Sequence, residues 1–125
     1  MIVAADSSSV SAYFKGETGN DVQKIDLALT GGLLRLPPAV LTELLSDPAL
    51  ERTLAPILGQ FRLLEITEGY WLRAGHTRLS LYKLGLKAKV ADALIAQSCI
   101  DHDVQLITRD NDFRHFVKHC GLKLA

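Results

Sequence analysis

At 125 residues, with 14 Lys and Arg balanced by 14 Asp and Glu, the chain has the size of one domain, 1–125, and no formal net charge. Roughly two-thirds of the unfolded surface of such a chain is buried on folding, enough for a core without disulfides or a structural metal. Apolar residues make up 48% and charged residues 22%, which excludes a disordered or fibrous chain, and the zero net charge argues against an obligate basic coat for nucleic acid while leaving room for a local basic face.

Ile2-Val3-Ala4-Ala5 is a short apolar run that reads as a buried strand, and Ser7-Ser8-Ser9 then offers N-cap hydroxyls to a helix through Val10, Tyr13 and Phe14. Gly16 to Gly19 breaks it. From Asn20 the positions Val22, Ile25, Ala28 and Leu29 keep helical spacing, and Gly31-Gly32 supplies the stop. Leu33 to Leu36 is strand-like. Pro37-Pro38 closes that strand and opens a helix through Val40, Leu41, Leu44 and Leu45, because proline is tolerated in a first turn that needs no backbone donor. Asp47-Pro48 opens another helix, predicted to run to about Gly59. Arg62 to Ile66 gives a third strand, followed by a long helix from about Glu68 to Tyr82 and a Gly-bounded loop. Asp92 to about His102 is a helix on the stripe Leu94, Ile95, Cys99, and Val104 to Ile107 is a fourth strand. Asp112 to Lys118 is a short helix and Leu122 to Leu124 a terminal strand. Five short strands separated by helices predict a parallel sheet with helices on both faces. Ligands of such sheets sit beyond the carboxyl ends of the strands.

Carboxylates stand where that rule points. Asp6 follows the first strand, and Asp110 follows the fourth after Thr108-Arg109. Asp92 opens the helix leading into the fourth strand, and Glu43 lies one to two turns into the helix after the second. Each acid also has an ordinary structural reading: Asp6 and Asp110 as loop or N-cap residues, Asp92 as a first-turn acid complementing the helix dipole, Glu43 as a solvated position. Glu43 and Asp92 are nevertheless flanked by apolar residues, Leu41, Leu44 and Leu45 for one, Val90, Ala91, Ala93 and Leu94 for the other, and acids in apolar runs must find a partner or change ionisation. Carboxylates converging on one rim repel one another unless a hard divalent cation, magnesium or manganese, joins them.

Other chemistries find little support. His115 and His119 stand four apart but lack the acid of an HExxH pattern, and no Walker loop, GxSxG or GxGxxG occurs. Cys99 and Cys120 match neither a disulfide framework nor a CxxC pair and read as core fillers of a protein in a reducing compartment. The N-terminus lacks the basic region of a signal peptide, and no apolar run approaches the roughly 20 residues of a membrane span. A cytoplasmic protein is expected. Between Gly69 and Ala91 there is no acid, while Arg73, Arg78, Lys83, Lys87 and Lys89 occur with His76, Trp71 and Tyr82. Arg73, His76 and Lys83 can share a helix face for phosphate contacts with an aromatic for base stacking, or the stretch is a solvated face with Trp71 in the core. Arg109, beside Asp110, is the better single choice for a phosphate contact.

The segments Ile2–Ser8, Pro38–Leu44, Ala91–Ala96 and Leu106–Phe113 resemble the four motifs of PIN-domain ribonucleases, most closely the VapC-type toxins of toxin–antitoxin pairs. The similarity runs over nearly the whole chain and is most specific at the last motif. It implies a three-layer α/β/α sandwich with a five-stranded parallel sheet. It implies that Asp6, Glu43, Asp92 and Asp110 form an acidic metal-binding quartet for Mg2+ or Mn2+, with Asp112 an auxiliary acid. Thr108 matches a position whose hydroxyl holds the site's water or an acid, and Ser8 a small polar residue supporting the first Asp. Nothing matches between Ile66 and Lys89. The implied activity is a magnesium-dependent endoribonuclease that hydrolyses RNA phosphodiester bonds with metal-activated water, leaving a 5′ phosphate. The implied partners are RNA, a VapB-like antitoxin and a second copy of the chain. The competing reading is a catalytically silent PIN-like module that binds RNA or protein. A receiver-like phosphoacceptor and a haloacid-dehalogenase-type phosphatase fit poorly, because serines follow Asp6 and Thr67-Glu68 follows Ile66. With the quartet set aside, 14 basic residues face 10 acidic ones, so a neutral total conceals an acidic site inside a mildly basic shell.

Overall fold

In the computed structural model, which describes residues Met1–Ala125, three parallel strands stand at the centre in the order β2-β1-β3. They are β1 (Val3–Ala5), β2 (Leu34–Arg35) and β3 (Leu106–Ile107). The register pairs Val3 with Leu34 on one side of β1 and Ala4 with Leu106 on the other. Ala4, Ala5, Leu106 and Ile107 are at most 2% exposed, as expected of parallel strands covered by helices on both faces. Seven helices supply those covers: α1 (Ser7–Phe14), α2 (Asn20–Thr30), α3 (Pro38–Leu45), α4 (Glu51–Leu54), α5 (Tyr70–Lys83), α6 (Val90–His102) and α7 (Arg114–Cys120). The architecture is a three-layer α/β/α sandwich. No helix is long and apolar enough to cross a membrane.

The five-stranded sheet predicted from sequence is reduced to three strands. The two outer segments each contribute a single parallel bridge, Leu36 to Leu63 and Leu106 to Leu124. The reason is burial: in 62–66 only Leu64 enters the core while Leu63 and Ile66 are about 40% exposed (42% and 40%), and Leu124 is 45% exposed beside a buried Leu122. A segment with one inward side chain has little to gain from a longer ladder. The helix predicted from Asp47 to Gly59 is also corrected. It divides into a 3-10 turn at Pro48–Leu50, the single turn α4, and a second 3-10 stretch at Ala55–Gln60, because Pro56 has no N–H to give and its ring obstructs a continuous helix.

The chain leaves β1 for β2 on one side and places β3 on the other. The carboxyl end of β1 is therefore the switch point at which a crevice opens. The turns after β1 and β3, together with α3 and the start of α6, surround it.

Candidate metal and nuclease site

Asp6, the residue after β1, is 3% exposed and caps α1: its Oδ1 accepts from the Ser9 N–H at 3.1 Å. The ordinary structural role expected of this residue, an N-cap, is the one the fold shows. The N-cap is the acid and not one of the three serines, whose hydroxyls instead grip three different acids. Ser7 donates to Glu43 Oε1 (2.9 Å), Ser8 to both Asp6 oxygens (2.8 and 2.9 Å) and Ser9 to Asp21 Oδ2 (2.8 Å). Successive helical residues are turned by about 100°, so three adjacent hydroxyls reach three directions.

Thr108 completes the holding of Asp6. Its hydroxyl donates to Asp6 Oδ2 at 2.7 Å and accepts from the Asp110 N–H at 3.0 Å. Asp110 in turn caps the 3-10 turn Asn111–Phe113 by accepting from the Asp112 N–H at 2.8 Å. One hydroxyl therefore ties the turn after β3 to the turn after β1. Burial pushes the Asp6 carboxyl above its ordinary range, against the lowering effect of Thr108, Ser9 and Ser8, with a smaller push from Asp110.

Asp92 lies in the first turn of α6 and is half-buried. Its carboxyl is pushed up to about 6, first by burial and then by the negative charges of Asp110 and Asp112, with a further push from Glu43 and a partial offset from Lys89. The electrostatic field thus joins Glu43, Asp92, Asp110 and Asp112, and links Asp110 to Asp6. Glu43 itself is exposed; its apolar flanks in sequence belong to other faces of α3, and Leu44 alone of them is fully buried. No three of these side chains, nor any other His, Cys, Asp or Glu, are drawn closely enough to hold an ion as they stand.

Three sequence expectations are corrected here. Arg109 does not face the acids. Its guanidinium forms a bidentate pair with Asp21 (2.7 and 3.0 Å) and reaches Glu17 and the Thr18 carbonyl, since it alternates with Asp110 beyond β3 and projects to the α2 side. Arg73 is likewise engaged, its Nε and Nη2 on Asp101 at 3.0 and 2.7 Å, so it does not share a free phosphate-binding face with His76 and Lys83. Trp71 is 63% exposed and not a core residue. Sequence reasoning also missed Ser7, whose contact with Glu43 spans 36 positions and has no local signature.

The Arg109 clamp holds the Asp21 carboxyl down at about 2. A depressed acid stabilises the fold above its unfolded value of 3.8, and that contribution is lost as pH falls through about 2. Arg109→Met is therefore expected to lower the melting temperature at pH 7, with the difference shrinking below pH 3.8. An unchanged melting temperature at pH 7 would contradict the clamp.

The family model of the PIN domain matches residues 3–118. The chain belongs to the PIN-domain family. This PIN domain superposes on the crystal structure of VapBC2 from Rickettsia felis bound to a promoter DNA fragment, with a TM-score of 0.78 and 18% identity over 100% of this chain and 98% of that one. It is similar to VapBC-1 from nontypeable Haemophilus influenzae (TM-score 0.74, 19% identity, 100% and 97% of the two chains). It is also similar to VapBC-5 from Mycobacterium tuberculosis, a member of the VapBC family of toxin–antitoxin systems (TM-score 0.70, 17% identity, 98% and 96%). At such identities the likeness establishes the fold. Comparison with curated protein sequences gives no significant match.

Proposed function

We propose that this PIN domain is a divalent-cation-dependent endoribonuclease of the VapC type, a toxin neutralised by a VapB-like antitoxin. The observation that carries the reading is the placing of the acids: Thr108 ties Asp6 to the turn of Asp110, Ser7 holds Glu43 from the start of α1, and Asp92 lines one cleft with Asp112. In a PIN domain, that concentration of negative charge at the carboxyl edge of the sheet calls for a cation. The donor set fits a hard one: carboxylate oxygens, with no thiol or imidazole among Asp6, Glu43, Asp92 and Asp110. Those four would hold Mg2+ or Mn2+, with Asp112 assisting from the adjoining turn. When bound, such an ion neutralises charge on a phosphodiester and makes water a stronger nucleophile at neutral pH.

The chain's own residues prepare the acids for that task. Ser8, the Ser9 amide and Thr108 fix both oxygens of Asp6, and Ser7 restrains Glu43 from the first turn of α1. Preorganised donors cost no rearrangement when charge develops. The VapBC toxin–antitoxin structures that share the fold favour a small antitoxin as partner, and self-association follows from the same reading.

The test is direct. Purified protein is expected to cleave RNA in Mg2+ or Mn2+, leave 5′ phosphates, and lose the activity in EDTA. Expression is expected to arrest growth, and co-expression of a neighbouring small open reading frame to relieve it. Cleavage indifferent to EDTA, or none with either cation in antitoxin-free protein, refutes the reading.

A further inference from the structure

Beside the acids, at the C-terminal end of α5, lies an open cleft of about 560 Å3, most of whose lining falls outside the four motif segments. Its volume falls within the range of roughly 300–1,000 Å3 typical of small-ligand sites. Asp92 and Asp112 form one end. Arg78, Tyr82, Lys87, Lys89, Arg114 and His115 line the rest. It is the basic stretch noticed in the sequence, with Arg114 and His115 added from α7.

The local chain explains the arrangement. Helix α5 ends in a Schellman turn, in which the Gly85 N–H bonds the Tyr82 carbonyl at 2.9 Å and the Leu86 N–H bonds the Leu81 carbonyl at 3.0 Å. Gly85 adopts φ 78°, a left-handed conformation that costs a side-chain-bearing residue strain. The turn swings the following loop back along the helix, and the Arg78 Nε fixes it by donating to the Ala88 carbonyl at 2.8 Å. Lys87 and Lys89 thereby come to the same wall as Tyr82.

The aromatic is built in as well. The Arg78 guanidinium carbon lies 5.0 Å from the Tyr82 ring centroid, and its Nη2 donates to the Tyr82 hydroxyl at 3.1 Å. The ring is thus held in one orientation yet remains 45% exposed. The cations are available. Lys87 and Arg114 are exposed, Arg114 donating through Nη1 alone to the Asn111 carbonyl at 2.8 Å, and Lys89 meets Asp112 only at 3.7 Å with 77% of its side chain in solvent, a pairing of the kind that contributes little. By contrast Arg73 and Arg109 are committed to Asp101 and Asp21.

We propose that this cleft is a single-stranded RNA subsite: Lys87, Lys89 and Arg114 bind a phosphate flanking the one presented to the acids, and the Tyr82 ring, backed by Arg78, stacks the attached base. An exposed, oriented ring beside mobile cations suits an unpaired base and a flexible backbone. A base within a duplex cannot reach the ring. The inference rests on the ribonuclease reading for the identity of the polymer, and adds which residues grip it and in which form.

Fluorescence anisotropy of a short labelled oligoribonucleotide, with the full chain in EDTA so that nothing is cut, tests it. The triple variant Lys87→Ala/Lys89→Ala/Arg114→Ala is expected to weaken binding tenfold or more. It should also reduce the slope of log affinity against log salt by about 0.7, since the three cations share one phosphate and each phosphate contact on a single strand contributes about 0.7. A charge-matched triple elsewhere on the surface, Lys15→Ala/Arg52→Ala/Lys123→Ala, should change both far less. Tyr82→Ala should weaken single-strand binding roughly tenfold and leave duplex binding unchanged, while Tyr82→Phe behaves as the parent; thermal melts check that each variant is folded. Equal losses from the two triples, parent-like binding by Tyr82→Ala, or no RNA binding by the parent overturns the proposal. RNA binding that follows the cleft residues in a protein that cuts nothing in Mg2+ or Mn2+ supports the subsite and overturns the nuclease reading instead.

Discussion

Asp92→Asn is expected to abolish RNA cleavage, by at least about a thousandfold, while making the metal-free protein more stable at pH 7. The two effects come from one cause. Asp92 has an unfolded value of 3.8 and a folded value of about 6, so between those pH values the native state holds a proton that the unfolded chain has released. Stability attributable to this group therefore falls as pH rises through that window, and the penalty is complete at pH 7. A tenfold change in acidity corresponds to about 1.4 kcal/mol, which for this displacement gives about 3 kcal/mol; solvent reaches the half-buried carboxyl, so about 1–2 kcal/mol is expected. Asparagine, which carries no charge, recovers that amount at pH 7 and nothing below pH 3.8. Thermal melts in EDTA across pH 4 to 8, with cleavage assays in Mg2+, read both effects. For the parent, adding Mg2+ should raise the melting temperature at pH 7 more than at pH 5, and the variant should lose most of that response. A variant that is less stable at pH 7, or that still cleaves, contradicts the assignment of Asp92.

Thr108→Val carries the second large effect. Valine has the shape of threonine without its hydroxyl, so it removes the 2.7 Å donor to Asp6 and the acceptor of the Asp110 N–H while keeping the packing. Hydrogen bonds to charged groups contribute about 1.5–3 kcal/mol and orphaned buried groups cost comparable amounts, which places the expected destabilisation at about 2–4 kcal/mol. Cleavage should fall about 10- to 100-fold, the range seen when a group that orients a metal ligand is lost. Thr108 acts through Asp6, so the pH profile discriminates its role. Without that donor the Asp6 carboxyl rises further from its ordinary range, and the acidic limb of the cleavage profile moves to higher pH. Thr108→Ser should restore both rate and profile. If valine and serine behave alike, Thr108 is a packing residue and nothing more.

Much of this molecule is legible without coordinates because the relevant physics is local. Strand β1 is an apolar run ended by an acid, α3 opens on Pro38, and α6 begins with an acid in its first turn; such signals involve neighbours a few positions apart. Reading failed where a property depends on distant parts. Leu63 and Leu124 look like members of strands, yet each forms one bridge, because its segment sends a single side chain, Leu64 or Leu122, into the core. Trp71 has the composition of a core residue and lies at the surface, the side of α5 that packs on α6 being taken by Tyr70 and Ala74. Arg109 stands next to an acid of the site and turns to Asp21 instead, 88 positions away.

The same division runs through the site. Which residues are acids, and that they fall at the carboxyl ends of strands in a parallel α/β chain, is determined by the sequence, because alternation of strand and helix leaves little freedom in where each turn emerges. What each acid meets there was decided only by the tertiary structure. Three consecutive serines could all have been caps; the fold gives each a different carboxylate. Arg73 with His76 and Lys83 could have formed a phosphate-binding face, and Arg109 a phosphate contact of its own; long-range ion pairs removed Arg73 and Arg109 from those roles and left Arg78, Lys87, Lys89 and Arg114 in a cleft beside Asp92. The neutral total with which the sequence opens is thereby resolved into an acidic crevice and an adjoining basic one. A count of charges has no spatial argument, and the strength of every charge here is set by burial and by partners that lie far apart in the chain.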